Sequence, residues 1–515
     1  MRAIANNLFR WYYNHRYKRI EQFMRHPHET QQLIFNELIE SAAFTEWGQR
    51  FDYNTIQNRQ TFADRIPVQD YESIKPYIQR MMEGEKDILW PGAVRMFSKS
   101  SGTTNDKSKF IPVSNESFRD CHIRGTWDTM TIMYHNNPDC KIFSGKNFLM
   151  AGNHSYYKPN SKTIYGDVSA LMVRNMPKVA RPFFEPDFDI VLRDDWESKI
   201  HLMVDVAISE EVAPMIRMVG GVPTWVIVFF RHILERSGKS NILEVWPNFE
   251  AYIHGGVNIS PYREQLRQLL PSDDIIYMDV YNASEGYFGS QLDLHGDDML
   301  LLLDNGVYYE FLPPEEWGKP HPKTVDLADV EVGKNYALLI STNAGLWRYQ
   351  IGDTIMFTST DPYRFKITGR VQQHINVFGE EVMVANTDKA IARACEAEGA
   401  IMREYSVAPV YLSGHGKGGH EWLVEFERPP QDVEAFADKL DRYLREINSD
   451  YDAKRYKDMA LQRLRLRILP EGTFFNWLRS KGRYGNQSKV PRLSNNRKYV
   501  EEILKFTRSP HQQQA

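Results

Sequence analysis

The chain reads as an α/β protein in two parts: a large α/β domain over residues 1–370 and a small α+β domain over residues 371–515. Three observations predict this. The 515 residues, 42% of them hydrophobic, can bury a sizeable core and exceed the usual length of one domain. Through the first 370 residues, helical apolar spacing gives way to short apolar runs bounded by turn residues. Beyond residue 370, helices and strands alternate over a length that suits one small domain.

The first 50 residues carry helical spacing through IEQFMRHPHETQQLIFNELIESAAF, interrupted near Pro27. From Ile88 to Ile111 the pattern is strand, loop, strand around SSGTT. Residues 198–236 read as helix, broken at Gly220-Gly221, with Pro223 opening a second apolar helix, TWVIVFFRHIL. IIYMDVYNASEGYFG is an apolar strand ending in a small polar turn. MLLLLDNGVYYEFLP reads as a hairpin turned at Asp304-Asn305-Gly306, because Asn-Gly suits the positive φ of a tight hairpin turn. NYALLISTNAGLWRYQIGDTIMFT gives two strands joined through Asn343–Gly345 and Gly352-Asp353. The first part ends at RFKITGR, and Gly369 and Gly379 flank the change of texture as a flexible joint. INVFGEEVMV, a helix at 386–398, a strand in GGHEWLVEFERPP and a helix from Asp432 to Ile447 follow, and SPHQQQA is a frayed tail.

With a formal net charge of −4, no overall basic bias points to nucleic acid as the main partner, and none is expected. The basic stretch RWYYNHRYKR reads as a solvated face, and the cations between Lys454 and Arg497 permit the same reading. Cys121, Cys140 and Cys395 form no C-x-x-C pair, which suits inert thiols in a reducing compartment rather than disulfides or a zinc site. The longest apolar stretch, TWVIVFF, is too short to span a bilayer. No membrane span is expected, and the cytoplasm is the expected location.

Four segments carry chemistry. In SKSSGTTNDKSKFIP, residues 98–112, a glycine and small hydroxyl residues leave backbone N–H groups open. The hydroxyls add donors, and Lys107 and Lys109 add positive charge, as wrapping nucleotide phosphates requires. The spacing is neither G-x-x-x-x-G-K-[ST] nor G-x-G-x-x-G, and alone the stretch reads more readily as a polar surface loop. In YNASEG, residues 281–286, Glu285 offers a carboxylate suited to magnesium, which takes one or two carboxylates plus phosphate oxygens; alone it is a turn residue. In WRYQIGD, Asp353 can accept from both hydroxyls of a ribose, or simply form a Gly-Asp turn. In YGNQSKVPR, Lys489 can neutralise charge developing on a phosphate, or be one solvated cation among several.

The order of these segments is more specific than any one of them. SSGTTNDKSKF, YNASEGYF, LWRYQIGD, the GR joint and SKVPR together resemble the acyl-adenylating enzymes. Within them the chain is similar to the auxin-responsive acyl-acid amido synthetase family in its bacterial form, with support from SAAFTEWGQRFDY and INVFGEEV. The resemblance covers essentially the whole chain. It implies a large N-terminal acyl-adenylating domain of β-sheets and packed helices, and a small mobile α+β C-terminal domain. It also implies ATP and Mg2+, with a small carboxylic acid adenylated, pyrophosphate released, and the acyl group passed to an amino acid as AMP leaves. Ser100, Ser101, Gly102, Thr103, Thr104 and Lys109 would then cradle the β- and γ-phosphates. Ser284 and Glu285 would lie beside the α-phosphate, with Glu285 as the metal ligand. Tyr281 and the backbone of Asn282 and Ala283 would flank the adenine, Asp353 would hold the ribose, and Arg370 would reach the ribose or phosphate. Lys489 would stabilise the transition state.

Two positions depart from the family pattern. Asp106 stands where a second glycine is usual, and Gln350 stands where a basic residue is usual, so no substrate contact is assigned to Gln350. Two alternatives share these motifs: an acyl-CoA ligase with a thiol as second nucleophile, and a non-catalytic protein that binds nucleotide or a small acid. Lys109, Glu285, Asp353 and Lys489 occurring together argue against the second, since a binder has no use for a transition-state lysine. The acid is expected against apolar and aromatic residues of the large domain, including the 123–175 region.

Overall fold

The computed structural model describes residues 2–100, 109–371, 374–375, 380, 382–411, 418–455, 461–482 and 489–508. The chain divides into two compact units. One is Met1–Val257 with Leu269–Lys366, and the other is Asn258–Gln268 with Ile367–Ala515.

The first unit opens with the helices Arg2–Arg25 and Pro27–Ala42. The break falls at Pro27 as expected, because proline at a first helical position gives up an N–H that would have no helical partner. The helix Tyr71–Glu83 starts on a reciprocal Asp70/Ser73 cap and stops at Gly84, whose φ of 101° favours glycine. At the centre lies an eleven-stranded sheet. Its order is Val307–Leu312, Asn335–Thr342, Tyr349–Thr360, Tyr363–Arg370, Met299–Leu301, Gly286–Gln291, Ile276–Ala283, Ala251–Gly255, Ile216–Gly220, Lys146–Leu149 and Phe184–Glu185. The last five strands run parallel to one another. On its other side, Ile276–Ala283 pairs antiparallel with Gly286–Gln291. This strand is therefore the seam of the sheet, and its last residues lie at the carboxyl edge of the parallel half, where open α/β sheets receive ligands.

Three local expectations change. Ile216–Gly220 is a parallel strand, not part of a helix; Ile216, Met218 and Val219 are buried, and so short a mostly apolar run cannot be told from a buried helix segment by its period. The helices Trp196–Ala207 and Pro223–Ser237 flank it. The Asp304-Asn305-Gly306 turn joins no hairpin. Met299–Leu301 pairs with Gly286–Gln291 and Tyr363–Arg370, whereas Val307–Leu312 pairs with Asn335–Thr342. The turn residues serve tertiary anchors instead. The buried Asn305 amide donates to the Tyr287 carbonyl, and Asp304 accepts from Arg16 at 3.1 Å. The Gly352-Asp353 pair lies inside the strand Tyr349–Thr360 rather than in a turn, where the register with the neighbouring strand slips.

The basic N-terminus is not simply a solvated face. Arg16 reaches inward to a fully buried Asp128 at 2.6 Å, which fastens the first helix to the helix Arg124–Asn136.

The second unit is built on Ile401–Tyr411, antiparallel to Gly418–Arg428, which runs parallel to Arg465–Leu469. The helices Val384–Glu398 and Val433–Ile447 belong to the same core, which contains Ile391, Tyr405, Trp422, Phe436 and Leu440. A smaller core gathers Leu423, Phe474, Trp477 and Ile503. Two cations of its basic stretch are internal. Arg455 pairs with Asp441 at 2.8 Å, and Arg492 pairs with Asp388. All three cysteines are buried and free. Among the described residues, no helix is long and apolar enough to cross a membrane.

Candidate active site

The strands Ile276–Ala283 and Gly286–Gln291 form a tight hairpin with Ser284 and Glu285 at its tip. Both tip residues are only 9% exposed, so the carboxylate of Glu285 is held in the protein rather than in bulk water. Tyr281, buried in the strand before the tip, donates its phenolic O–H to Asp353 Oδ2 at 2.6 Å. Asp353 owes its place to an irregular stretch. Ala337 lies opposite Thr354, but Leu339 lies opposite Gln350, so the strand Tyr349–Thr360 carries two extra residues around Gly352, whose φ is 95°. Such a bulge re-aims the side chain that follows it. Two motifs 72 residues apart thereby meet through one short hydrogen bond.

The first motif loop is anchored at both ends. The strands Met96–Ser100 and Lys109–Val113 pair antiparallel, with Ser100 directly opposite Lys109. The Lys109 ammonium lies 5.7 Å from the centre of the Tyr71 ring, and the Tyr71 hydroxyl accepts from the Phe110 N–H at 2.9 Å. Ser101, Gly102, Thr103, Thr104 and the unusual Asp106 lie outside the described residues. Arg370 ends the strand Tyr363–Arg370, and both it and the exposed Lys489 belong to the second unit. Gln350 is part of the sheet, its backbone N–H donating to the Gln69 carbonyl at 2.8 Å.

Sequence reasoning overlooked two groups around these motifs. Arg348 adopts a positive φ of 44° and is buried. It bridges to Glu310 at 3.0 Å and donates to the carbonyls of Ala63 at 2.8 Å and Ile66 at 2.6 Å. It clamps the turn that leads into the Asp353 strand; the arginine of the motif was visible, but its partners are far away in sequence. His122 lies on one turn of π-helix, Phe118–Ile123, a form found mostly as single turns and often near functional sites. It is 1% exposed and faces Asn282 on the hairpin. Among the described residues, neither of its ring nitrogens nor Asn282 Oδ1 completes a hydrogen bond. Burial pushes its pKa down to about 4, with Asn282 opposing, so the ring is neutral at physiological pH. Next to it, Cys121 Sγ lies 3.2 Å from the Tyr287 N–H, and a Cβ on Gly125 would come within 2.4 Å of the Tyr287 ring. A glycine is what lets this helix lie so close to the hairpin.

The arrangement suits a nucleotide and a metal. Tyr281 gives a flat apolar face and fixes the Asp353 carboxylate, an acceptor for vicinal hydroxyls. A magnesium ion bound mainly through phosphate oxygens needs little more from the protein than the carboxylate that Glu285 supplies.

Similarity runs along the whole chain. The GH3 family N-terminal domain matches residues 16–230 and 190–275, the GH3 family central domain residues 300–370, and the GH3 family C-terminal domain residues 385–498. A curated relative, indole-3-acetic acid-amido synthetase GH3.4 of Arabidopsis thaliana, is 24% identical over 92% of this chain and 90% of its own. Among solved structures, GH3.15 acyl acid amido synthetase superposes with a TM-score of 0.76 at 16% identity, covering 95% of both chains. A 2-hydroxyisobutyryl-CoA ligase in its postadenylation state, in complex with 2-HIB-AMP, superposes at 0.60 and 12% identity over 93% of this chain and 92% of its own. The fold is the one these two solved structures share: a large N-terminal domain of sheets and helices followed by a C-terminal domain.

Proposed function

The chain belongs to the GH3 family, and from that premise we propose that it is an ATP-dependent acyl-acid amido synthetase. A carboxylate oxygen attacks the α-phosphorus of ATP, the bond to the bridging oxygen breaks, and pyrophosphate leaves. The nitrogen of an amino acid then attacks the acyl carbon, AMP leaves, and the amine gives up its proton as the amide forms. The observation that carries this reading is the 2.6 Å hydrogen bond from Tyr281 to Asp353, which joins two nucleotide motifs at the carboxyl edge of the parallel strands.

In this reading Asp353 binds the ribose hydroxyls, and Tyr281 with the backbone of Asn282 and Ala283 flanks the adenine. Ser100, Ser101, Gly102, Thr103, Thr104 and Lys109 hold the β- and γ-phosphates, and Ser284 and Glu285 border the α-phosphate. Arg370 reaches the ribose or phosphate. Bound through Glu285, Mg2+ would neutralise phosphate charge and orient the leaving pyrophosphate. Lys489 stabilises the negative charge that develops around the α-phosphorus, the main lever open to an enzyme in phosphoryl chemistry. Residues 371–515 act as a mobile lid that delivers Lys489 for adenylation and then rearranges to admit the amine and exclude water. The enzyme works in the cytoplasm.

Amide formation is preferred to thioester formation because the matched relative that spans 92% of the chain is an amido synthetase. The test is carboxylate-dependent exchange between ATP and pyrophosphate across aryl, indolyl and aliphatic acids, followed by discharge of the adenylate. Exchange with at least one acid and amide formation with an amino acid are expected. No exchange with any acid would sink adenylation, and discharge by CoA with no amino acid active would make the protein an acyl-CoA ligase.

A further inference from the structure

The segment that follows Lys489 is fastened to the second unit with unusual thoroughness. Arg492 is 6% exposed. Its guanidinium donates to Asp388 and lies 3.4 Å from Glu404, so two carboxylates face one cation. It also donates to the Tyr262 hydroxyl at 2.5 Å, and its charge centre lies 4.7 Å from the Tyr405 ring centre. The backbone is held as well. The Arg492 carbonyl accepts from Val407 N–H at 2.7 Å, and Ser494 N–H donates to the Val407 carbonyl at 3.2 Å. The Pro491 carbonyl accepts from the Ser406 hydroxyl at 2.7 Å. Val490 and Leu493 are buried, whereas Lys489 is exposed. The anchor draws on three separate stretches of chain: Tyr262 in the Asn258–Gln268 piece, Asp388 on the helix Val384–Glu398, and Glu404 with Tyr405 on the strand Ile401–Tyr411.

We infer that Arg492 is a positioning residue for Lys489: its buried fork fixes the register of residues 490–494, and so the point from which the Lys489 side chain departs. The inference rests on the adenylation reading given above. A planar fork that reaches Asp388 and Tyr262 together cannot be copied by an ammonium, although lysine keeps the charge and most of the volume. Arg492→Lys should therefore leave a folded protein whose lysine starts from a less defined position. Because Lys489 acts only when charge develops at the α-phosphorus, the loss should fall on the adenylation rate and spare both ATP affinity and the second half-reaction.

The experiment is a double-mutant cycle read in both half-reactions. For Arg492→Lys, ATP–pyrophosphate exchange should fall at least tenfold, while the Kd for ATP stays within about twofold of wild type. Aminolysis of the preformed adenylate of an accepted acid should also stay within about twofold. Combining Arg492→Lys with Lys489→Ala should slow exchange no further than Lys489→Ala alone. Ser406→Ala, which removes one buried side-chain hydrogen bond of the anchor and leaves the Arg492 fork in place, provides a milder second variant and should show a severalfold loss with the same non-additivity. Unchanged exchange in both variants, losses that multiply with Lys489→Ala, or parallel losses in ATP binding and aminolysis would overturn the inference. Absence of exchange in the wild-type enzyme would instead strike the adenylation reading on which it rests.

Discussion

The hairpin Tyr281–Gly286 and the segment Lys489–Ser494 carry motifs of similar length, and the protein holds them in opposite ways. In the hairpin the sheet does the holding. Ala283 lies opposite Gly286 in the ladder, the tip is nearly buried, and Tyr281 reaches Asp353 within the same sheet. In the second segment a single bridge, Val407 to Leu493, ties backbone to strand, and a buried arginine fork supplies much of the remainder. The difference separates two tasks. On the proposed assignment, groups that bind a ground state gain from rigid preorganisation in a sheet, whereas a charge needed only in the transition state is carried on an exposed side chain that departs from an anchored segment.

The largest expected effect tests that division at Lys489. Lys489→Ala should lower ATP–pyrophosphate exchange by roughly 10²–10³, the usual loss when one transition-state donor is removed. The Kd for ATP, measured by calorimetry, should change by about twofold at most. An equal loss of binding and rate would show that Lys489 holds the ground state too, and the contrast with the hairpin would dissolve.

The same contrast explains what could be read in advance. The motifs of the hairpin, of the Asp353 strand and of the lysine segment were legible because small, polar and charged residues interrupt apolar runs at a few fixed positions. The helical N-terminus and the α+β character beyond residue 370 were legible from spacing. What stayed hidden was tertiary. The Asp304-Asn305-Gly306 turn carries strong local hairpin chemistry, yet Asn305 bonds to Tyr287 and Asp304 to Arg16, and the two strands it separates pair elsewhere. Ile216–Gly220 looked helical because its mostly apolar run is too short to show a period of its own. Arg492 read as one more cation of a basic stretch because Asp388, 104 residues away in sequence, could not be connected to it beforehand.

An intermediate effect should come from His122 behind the hairpin, and it has a definite sign. A histidine in the unfolded chain titrates near 6.5, whereas burial holds His122 at about 4 in the folded protein. Between those values the unfolded state binds more protons. The contribution of this site to stability is therefore complete above pH 6.5 and is lost as pH falls toward 4, by up to about 3 kcal/mol over the whole window. Urea unfolding of wild type and of His122→Gln isolates the term. The difference in stability, wild type minus variant, should rise by about 1 kcal/mol from pH 5 to pH 6. A difference that stays flat would mean that His122 is not held neutral against the hairpin, and would remove it from the rigid half of the comparison.

The smallest effect belongs to the hairpin's own hydrogen bond. Tyr281→Phe keeps the ring proposed to flank the adenine and removes only the O–H that donates to Asp353. One hydrogen bond of this kind contributes about 1 kcal/mol net, so KM for ATP should rise roughly three- to tenfold. The rate at saturating ATP should change less than twofold, because an interaction made equally in ground and transition states moves KM and leaves kcat alone. That signature is the reverse of the one expected for Lys489→Ala, and the two variants measured side by side give the comparison its sharpest form. If Tyr281→Phe lowered kcat and left KM unchanged, Asp353 would be acting at the transition state, and the hairpin could no longer be described as the ground-state half of the site.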